Sequence, residues 1–309
     1  MEKFNELADG RNSAMNAGVI SINEKLTKSG KPYSEITLAD GASQIVAKMW
    51  QDPKQLQFAA GDVVSAEIEV QQYNGSQSFI LNAAAKVVGA DFRSLLPHAP
   101  IDAEGYWNEM VSVLDTEISN KVLHDMTLSL LNKSKDAFMV HPAAKGIHHA
   151  FVNGLLYHTG RMVKSAMALS GIYDVNKSIL LSATALHDYG KLVEMQMDNN
   201  GATTYTPYGV MFGHAVIAIE AIDDYCRENN VDRNDENIII VKHCIAAHHG
   251  QLDWGALAVP CVKEAQLLHF IDNIDAKMET YEENIDAVEP GTLGEKVFSL
   301  NSPIYNPNL

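Results

Sequence analysis

Two periodicities divide this chain. Between residues 15 and 90, apolar and polar positions alternate, or β-branched residues gather, over the short segments 18–25, 33–38, 43–50, 63–72 and 78–88. A period of two is that of a half-buried strand, and the turn sequences KSGK, ADGAS and YNGSQ punctuate the segments. From about residue 104 the apolar positions recur instead at three and four. That spacing predicts helices over 107–118, 121–131, 151–170, 177–186, 214–229, 237–247 and 262–280.

The expected fold class is therefore multidomain α and β: an N-terminal β-barrel followed by an all-α domain. Five strands, with a short helix over 52–58 before the fourth, predict a small Greek-key barrel of the OB type. A sandwich of the same strands stays open, because strand count alone does not fix closure. The expected boundaries are 1–90 for the barrel, 91–103 for a linker containing LLPHAPID, and 104–309 for the helical domain. The tail EKVFSLNSPIYNPNL reads as extended, packed on the surface or against a partner subunit. A length of 309 residues exceeds what one core usually serves.

Composition narrows the classes. No run of about 18 apolar residues occurs, so no transmembrane helix is expected. The N-terminus MEKFNELADGRNS lacks the apolar stretch of a signal peptide. Cys226, Cys244 and Cys261 form no CxxC pair, which predicts reduced thiols in a cytoplasmic protein. The net charge of −16 argues against a non-specific nucleic-acid binder with a basic face. Its distribution matters more: residues 1–90 carry 8 basic against 10 acidic side chains, and the remainder 15 against 29. The acidity lies where carboxylates can hold metal, and bound divalent ions would still draw in a phosphate.

The chemistry concentrates at SATALHDYGKLVE, where His187 and Asp188 stand side by side behind an apolar run. Both cannot belong to the buried apolar face of a helix, but at a helix end both can turn toward one metal ion. His158 lies within a predicted helix, His214 opens another in GVMFGHAVIA, His248 and His249 end a third in IAAHHGQLDWG, and Asp272 sits in HFIDNIDAKM. Ligands converging from separate helices are how bundles build metal sites.

The expected metal ligands are His158, His187, Asp188, His214, His248, His249 and Asp272, with His249 an alternative or an addition to His248. Mixed imidazole and carboxylate donors suit Mn²⁺, Fe²⁺ or Co²⁺, with Mg²⁺ preferring oxygen. Two such ions can clamp the attacking and leaving oxygens of a phosphodiester. His187, Asp188 and Lys191 form the expected catalytic group, Lys191 reaching a substrate phosphate past Gly190. Asp275 either orients a ligand or is a solvated carboxylate. His148 and His149 line the pocket or play no part, and His98, His124 and His141 read as capping or surface residues.

These residues resemble a known family. HPAAKGIHHAFVNGLLYHT, ALHDYGKL, GHAVIA, HHGQLDWG and FIDNIDAKM are similar to the HD superfamily of metal-dependent phosphohydrolases, and more narrowly to the YhaM family of 3′→5′ exoribonucleases. KPYSEITLADGASQIVAKMW, GDVVSAEIEV and YNGSQSFIL resemble the OB-fold that precedes the HD domain in those proteins. The likeness covers nearly the whole chain. It implies a Mn²⁺-dependent enzyme that releases nucleoside monophosphates from the 3′ ends of single-stranded RNA, with single-stranded DNA open as a second substrate, and that assembles as a homo-oligomer. Tyr189 stands where an aliphatic residue is common, and no GYP motif follows HHGQLDWG, which disfavours the cyclic-di-GMP phosphodiesterases.

An OB barrel holds single strands by stacking bases on aromatics and tracking the backbone with cations. Tyr33, Tyr73, Trp50 and Lys31 are the expected nucleic-acid contacts, with Lys25, Lys28, Lys48 and Lys54 nearby. Trp50 and Phe79 could equally be barrel core. Two other readings remain at this point: a phosphohydrolase of a small nucleotide, and a non-catalytic single-strand-binding protein.

Overall fold

A computed structural model describes residues 3–12, 14–27, 29–73, 76–144, 151–197 and 203–309, apart from the side chains of Asn5, Tyr73, Ser76 and Arg93. Lys28, His148, His149 and the side chain of Tyr73 lie outside the described residues. The chain divides into two compact units, Met1–His98 with Met197–Thr204, and Ala99–Gln196 with Tyr205–Leu309.

The first unit is built on β1 (Gly10–Arg11), β2 (Met15–Leu26), β3 (Pro32–Ala39), β4 (Gln44–Met49), β5 (Val63–Tyr73) and β6 (Ser76–Lys86). Alternation decides which side chains face inward: Met15, Ala17 and Val19 from β2, Ile36 and Leu38 from β3, Val64, Ala66, Ile68 and Val70 from β5. Antiparallel pairs join β5 to β2, β2 to β3 and β3 to β4. A parallel pair, Ala47↔Phe79 and Lys48↔Ile80, joins β4 to β6, and β6 returns to β5 antiparallel.

The ring is closed, an OB-like barrel rather than a sandwich. Bulges between Val19 and Ser21 and between Glu67 and Ile68 bend the strands round it. A Cβ at Gly18 would meet the Phe92 ring at 2.9 Å, so glycine lets the 3-10 turn Phe92–Leu95 lie on the barrel wall. The helix expected over 52–58 is only a 3-10 turn, Pro53–Gln55, capped by Asp52.

The second unit holds α1 (Ala103–Glu117), α2 (Lys121–Lys133), α3 (Lys135–Val140), α4 (Gly154–Ser170), α5 (Lys177–Leu186), α6 (Lys191–Glu194), α7 (Pro207–Glu228), α8 (Glu236–Ala247) and α9 (Lys263–Ile285). Side-chain caps fix several starts: Asp102 for α1, Asn120 for α2, Asn176 for α5, Thr206 for α7 and Asp235 for α8. Every residue of α5 from Ser178 to Leu186 is buried, and the helix packs against α2, α4, α8 and α9. An all-buried helix is central, and its C-terminal end delivers His187 and Asp188 into the interior.

Two short strand pairs interrupt the helices. β7 (Met195–Met197) pairs with β8 (Thr203–Tyr205), and β9 (Leu293–Val297) pairs with β10 (Ser302–Tyr305). The extended tail is thus a hairpin that packs on α9 and buries Ile304. Among the described residues no helix is long and apolar enough to cross a membrane.

Candidate metal centre

The ends of α5 and α8, the interiors of α4 and α9 and the middle of α7 bring together all seven expected metal ligands. His158, His187 and Asp272 offer donor atoms within 4.8 Å of one another, as do His214, His248 and His249. Asp188 reaches both groups. Its Oδ2 lies 3.2 Å from His187 Nε2 and 3.6 Å from His158 Nε2, and its Oδ1 lies 3.5 Å from His214 Nε2.

The imidazoles are oriented by what holds their other nitrogen. His187 Nδ1 donates to the Thr184 carbonyl at 2.9 Å and His248 Nδ1 to the Ile245 carbonyl at 2.6 Å. His158 Nδ1 donates to Asp275 Oδ2 at 2.7 Å, and His214 Nδ1 to the Glu194 carboxylate at 3.1 Å. Each ring therefore turns Nε2 toward the centre with its tautomer set. His158 Nε2 and His187 Nε2 face each other at 3.2 Å, and His214 Nε2 and His248 Nε2 at 3.3 Å. Facing lone pairs repel unless a cation or proton mediates, so the donor set fits a metal.

Electrostatics agree with that fit at most of the donors. Burial and the neighbouring His249, His187 and His214 hold His248 well below 6.5, and burial and His214 lower His249 as well, so both stay neutral. Burial works against ionisation of Asp188, but His187, Lys191 and His214 hold it well below the usual carboxylate range. For Asp272 the same opposition is won by His158. His158 is the exception: burial lowers it, yet Asp272 and Asp275 push it up to about 9, so a bound ion would have to replace its Nε2 proton. Lys191 Nζ lies 2.7 Å from Asp188 Oδ2, on the wall of a cavity of about 160 Å³ shared with His158, Asp188, His248, His249 and Asp272. A larger groove of about 1130 Å³, past Tyr173, Phe270 and Ile274, contains none of these donors.

Sequence reasoning missed three supports. Glu194 closes α6 and accepts from both the backbone N–H and Nδ1 of His214. Arg161, one turn beyond His158, binds Asp275 Oδ1 at 2.6 Å and Glu279 Oε2 at 2.7 Å, steadying the carboxylate behind His158. His269 donates from Nδ1 to the His248 carbonyl at 2.9 Å, and a Cβ at Gly250 (φ +79°) would strike its ring at 2.3 Å. The spacing of Arg161 from His158 was the available signal; Glu194 and His269 gave none.

Of its two readings, the solvated one does not hold for Asp275, which is buried against His158 and Arg161. His141 departs from expectation: it is buried, and its ring nitrogens face the Pro142 and Met195 carbonyls at 2.8 and 3.2 Å. On the barrel, Trp50 is not core. It is 63% exposed and packs against Tyr33 at 5.1 Å between centroids with the rings tilted by 44°, and Lys31 is exposed on the strand's approach.

Residues 155–277 match the HD domain family. The 3′-5′ exoribonuclease YhaM of Listeria welshimeri serovar 6b is 32% identical over 285 residues, covering 90% of each chain.

Proposed function

Because the chain belongs to the family of the 3′-5′ exoribonuclease YhaM, we propose that it is a metal-dependent 3′→5′ exoribonuclease that releases nucleoside monophosphates from single-stranded RNA. The observation that carries the mechanism is Asp188, with one oxygen on each of two donor groups. His158, His187 and Asp272 would hold one ion, His214, His248 and His249 a second, and Asp188 would touch both. Ions bound there lower the pKa of water and neutralise charge on the phosphoryl oxygens. Mixed imidazole and carboxylate donors suit Mn²⁺, the ion proposed here, as well as Fe²⁺ and Co²⁺, and the excess of imidazoles puts Mg²⁺ last.

The protein's own residues do the rest. Lys191 balances the buried Asp188 carboxylate and stands where a scissile phosphate would approach. Asp275, Glu194 and the two backbone carbonyls fix the imidazoles so that no reorientation is needed during the reaction. The exposed Trp50 and the half-buried Tyr33 beside it, with Lys31, would hold the strand by stacking, without base preference. Free cysteines at Cys226, Cys244 and Cys261 support a cytoplasmic location. The exposed apolar row Phe270, Ile274 and Met278 on α9 supports assembly of like subunits.

Degradation of 3′- and 5′-labelled RNA and DNA strands with Mn²⁺, Mg²⁺ or chelator tests this. Mononucleotides should leave the 3′ end with Mn²⁺ and stop with chelator. Asp188→Ala should stop release while strand binding persists. Hydrolysis of free nucleotides alone would replace the reading with a small-molecule phosphohydrolase, and full turnover by Asp188→Ala would remove the proposed centre.

A further inference from the structure

The metal centre is small: its cavity of about 160 Å³ admits a phosphate group but leaves no room for a nucleoside. Beside it, sharing His249 and Asp272, opens a second cavity of about 580 Å³, within the size range of small-molecule sites. Trp254 lines it from the 3-10 turn after HHG, 54% exposed and backed by the buried imidazole of His269 at 5.9 Å.

Asn273 and Lys277 line it from α9, and Asn301 lines it from the turn of the β9–β10 hairpin. Lys277 Nζ donates to the Ser299 carbonyl at 3.2 Å, which ties that turn to α9 and keeps a positive charge at the cavity. The Asn273 amide makes no hydrogen bond to a described residue and is available to a ligand. A half-exposed indole face, a free amide and an ammonium beside a phosphate-sized metal pocket match the parts of a nucleoside 5′-monophosphate.

We propose that this cavity takes the 3′-terminal nucleoside of the strand, its base on Trp254 and its ribose beside Asn273 and Asn301, with that nucleotide's 5′-phosphate at the metal centre. The assignment rests on the exoribonuclease reading, and it makes the released mononucleotide a ligand of the same cavity. Every base has a π-face, so Trp254 would serve all four.

Calorimetry of the manganese-loaded protein should show adenosine 5′-monophosphate binding about tenfold more tightly than ribose 5-phosphate, the scale of one stacked base. Trp254→Ala should erase that preference, and Trp254→Phe should keep most of it. If Trp254→Ala does not fold, Trp254→Leu, which keeps apolar bulk without a π-face, carries the same comparison. A preference unchanged in the alanine or leucine variant, or absent from the unsubstituted protein, overturns the proposal. Release of mononucleotides from 3′-labelled RNA is measured alongside. Its absence from the unsubstituted protein would count against the exoribonuclease reading, while the calorimetry alone judges the cavity.

Discussion

Glu194 shows how much of a metal centre sits outside its ligands. Its carboxylate takes both the backbone N–H and the ring N–H of His214, and burial, which would raise its pKa, is outweighed by His214. Glu194→Gln should weaken Mn²⁺ binding by about 10- to 100-fold, read by titration with His214→Ala as the floor; an unchanged affinity would deny it a positioning role. In KLVE the residue looks like a solvated carboxylate, because what buries it is a close helix approach. A Cβ at Gly209 would meet its carbonyl at 2.2 Å, and one at Gly190 the His214 carbonyl at 2.0 Å. The proposed ligands were legible as a set of imidazoles and carboxylates, His187, Asp188, His248 and His249 at helix ends and His158, His214 and Asp272 within helices.

His124 is a different case, held between Asp125 and Asp115 at 3.0 and 2.9 Å and raised above 6.5 chiefly by those hydrogen bonds. A folded pKa above the unfolded one stabilises below the unfolded value and is lost as pH rises through the folded value. His124→Gln should therefore lower Tm more at about pH 5.5 than at about pH 9. Equal losses at both would show that the pair does not titrate with folding.

At the scale of elements, α7 carries the most information. The period predicted a helix opening at His214, whereas α7 runs from Pro207, with Gly213 non-helical at φ 71°, ψ 158°. That conformation is almost exclusive to glycine and costs other residues about 1–3 kcal/mol. The break turns the helix so that His214 meets Glu194. Gly213→Ala should lower Tm by about 2–6 °C and weaken Mn²⁺ binding too, whereas a Tm loss with intact affinity would make the break merely structural. The predicted start at His214 was thus correct for the part after the break, and what it missed is Pro207–Phe212, nearly two turns capped by Thr206. The hairpins were not legible for another reason: β9 and β10 are short, poor in β-branched residues, and joined through Asn301 at φ 55°.

At the scale of the molecule, the change from a period of two to one of three and four was enough to separate barrel from helices, because each pattern runs for many elements. Closure was not legible, since it depends on the parallel β4–β6 pairing between residues some thirty positions apart. The two units keep separate cores, one around Ile36, Ile68 and Leu81 and the other around Leu114, Leu155 and Leu181.

Under the proposed function, each of the two units, with its own core, would grip the same strand. With the strand held on the barrel, its 3′ end is tethered, and the metal centre sees it at an effective concentration set by the intervening nucleotides. Each release shortens the tether, until the remaining strand cannot serve both grips and the rate falls to that of a free short oligomer. Time courses on long RNA should therefore slow once the strand is short, whatever the sequence. Tyr33→Ala with Trp50→Ala should abolish the pause and bring long strands down to the short-strand rate, and a pause that survives both substitutions would exclude the tether.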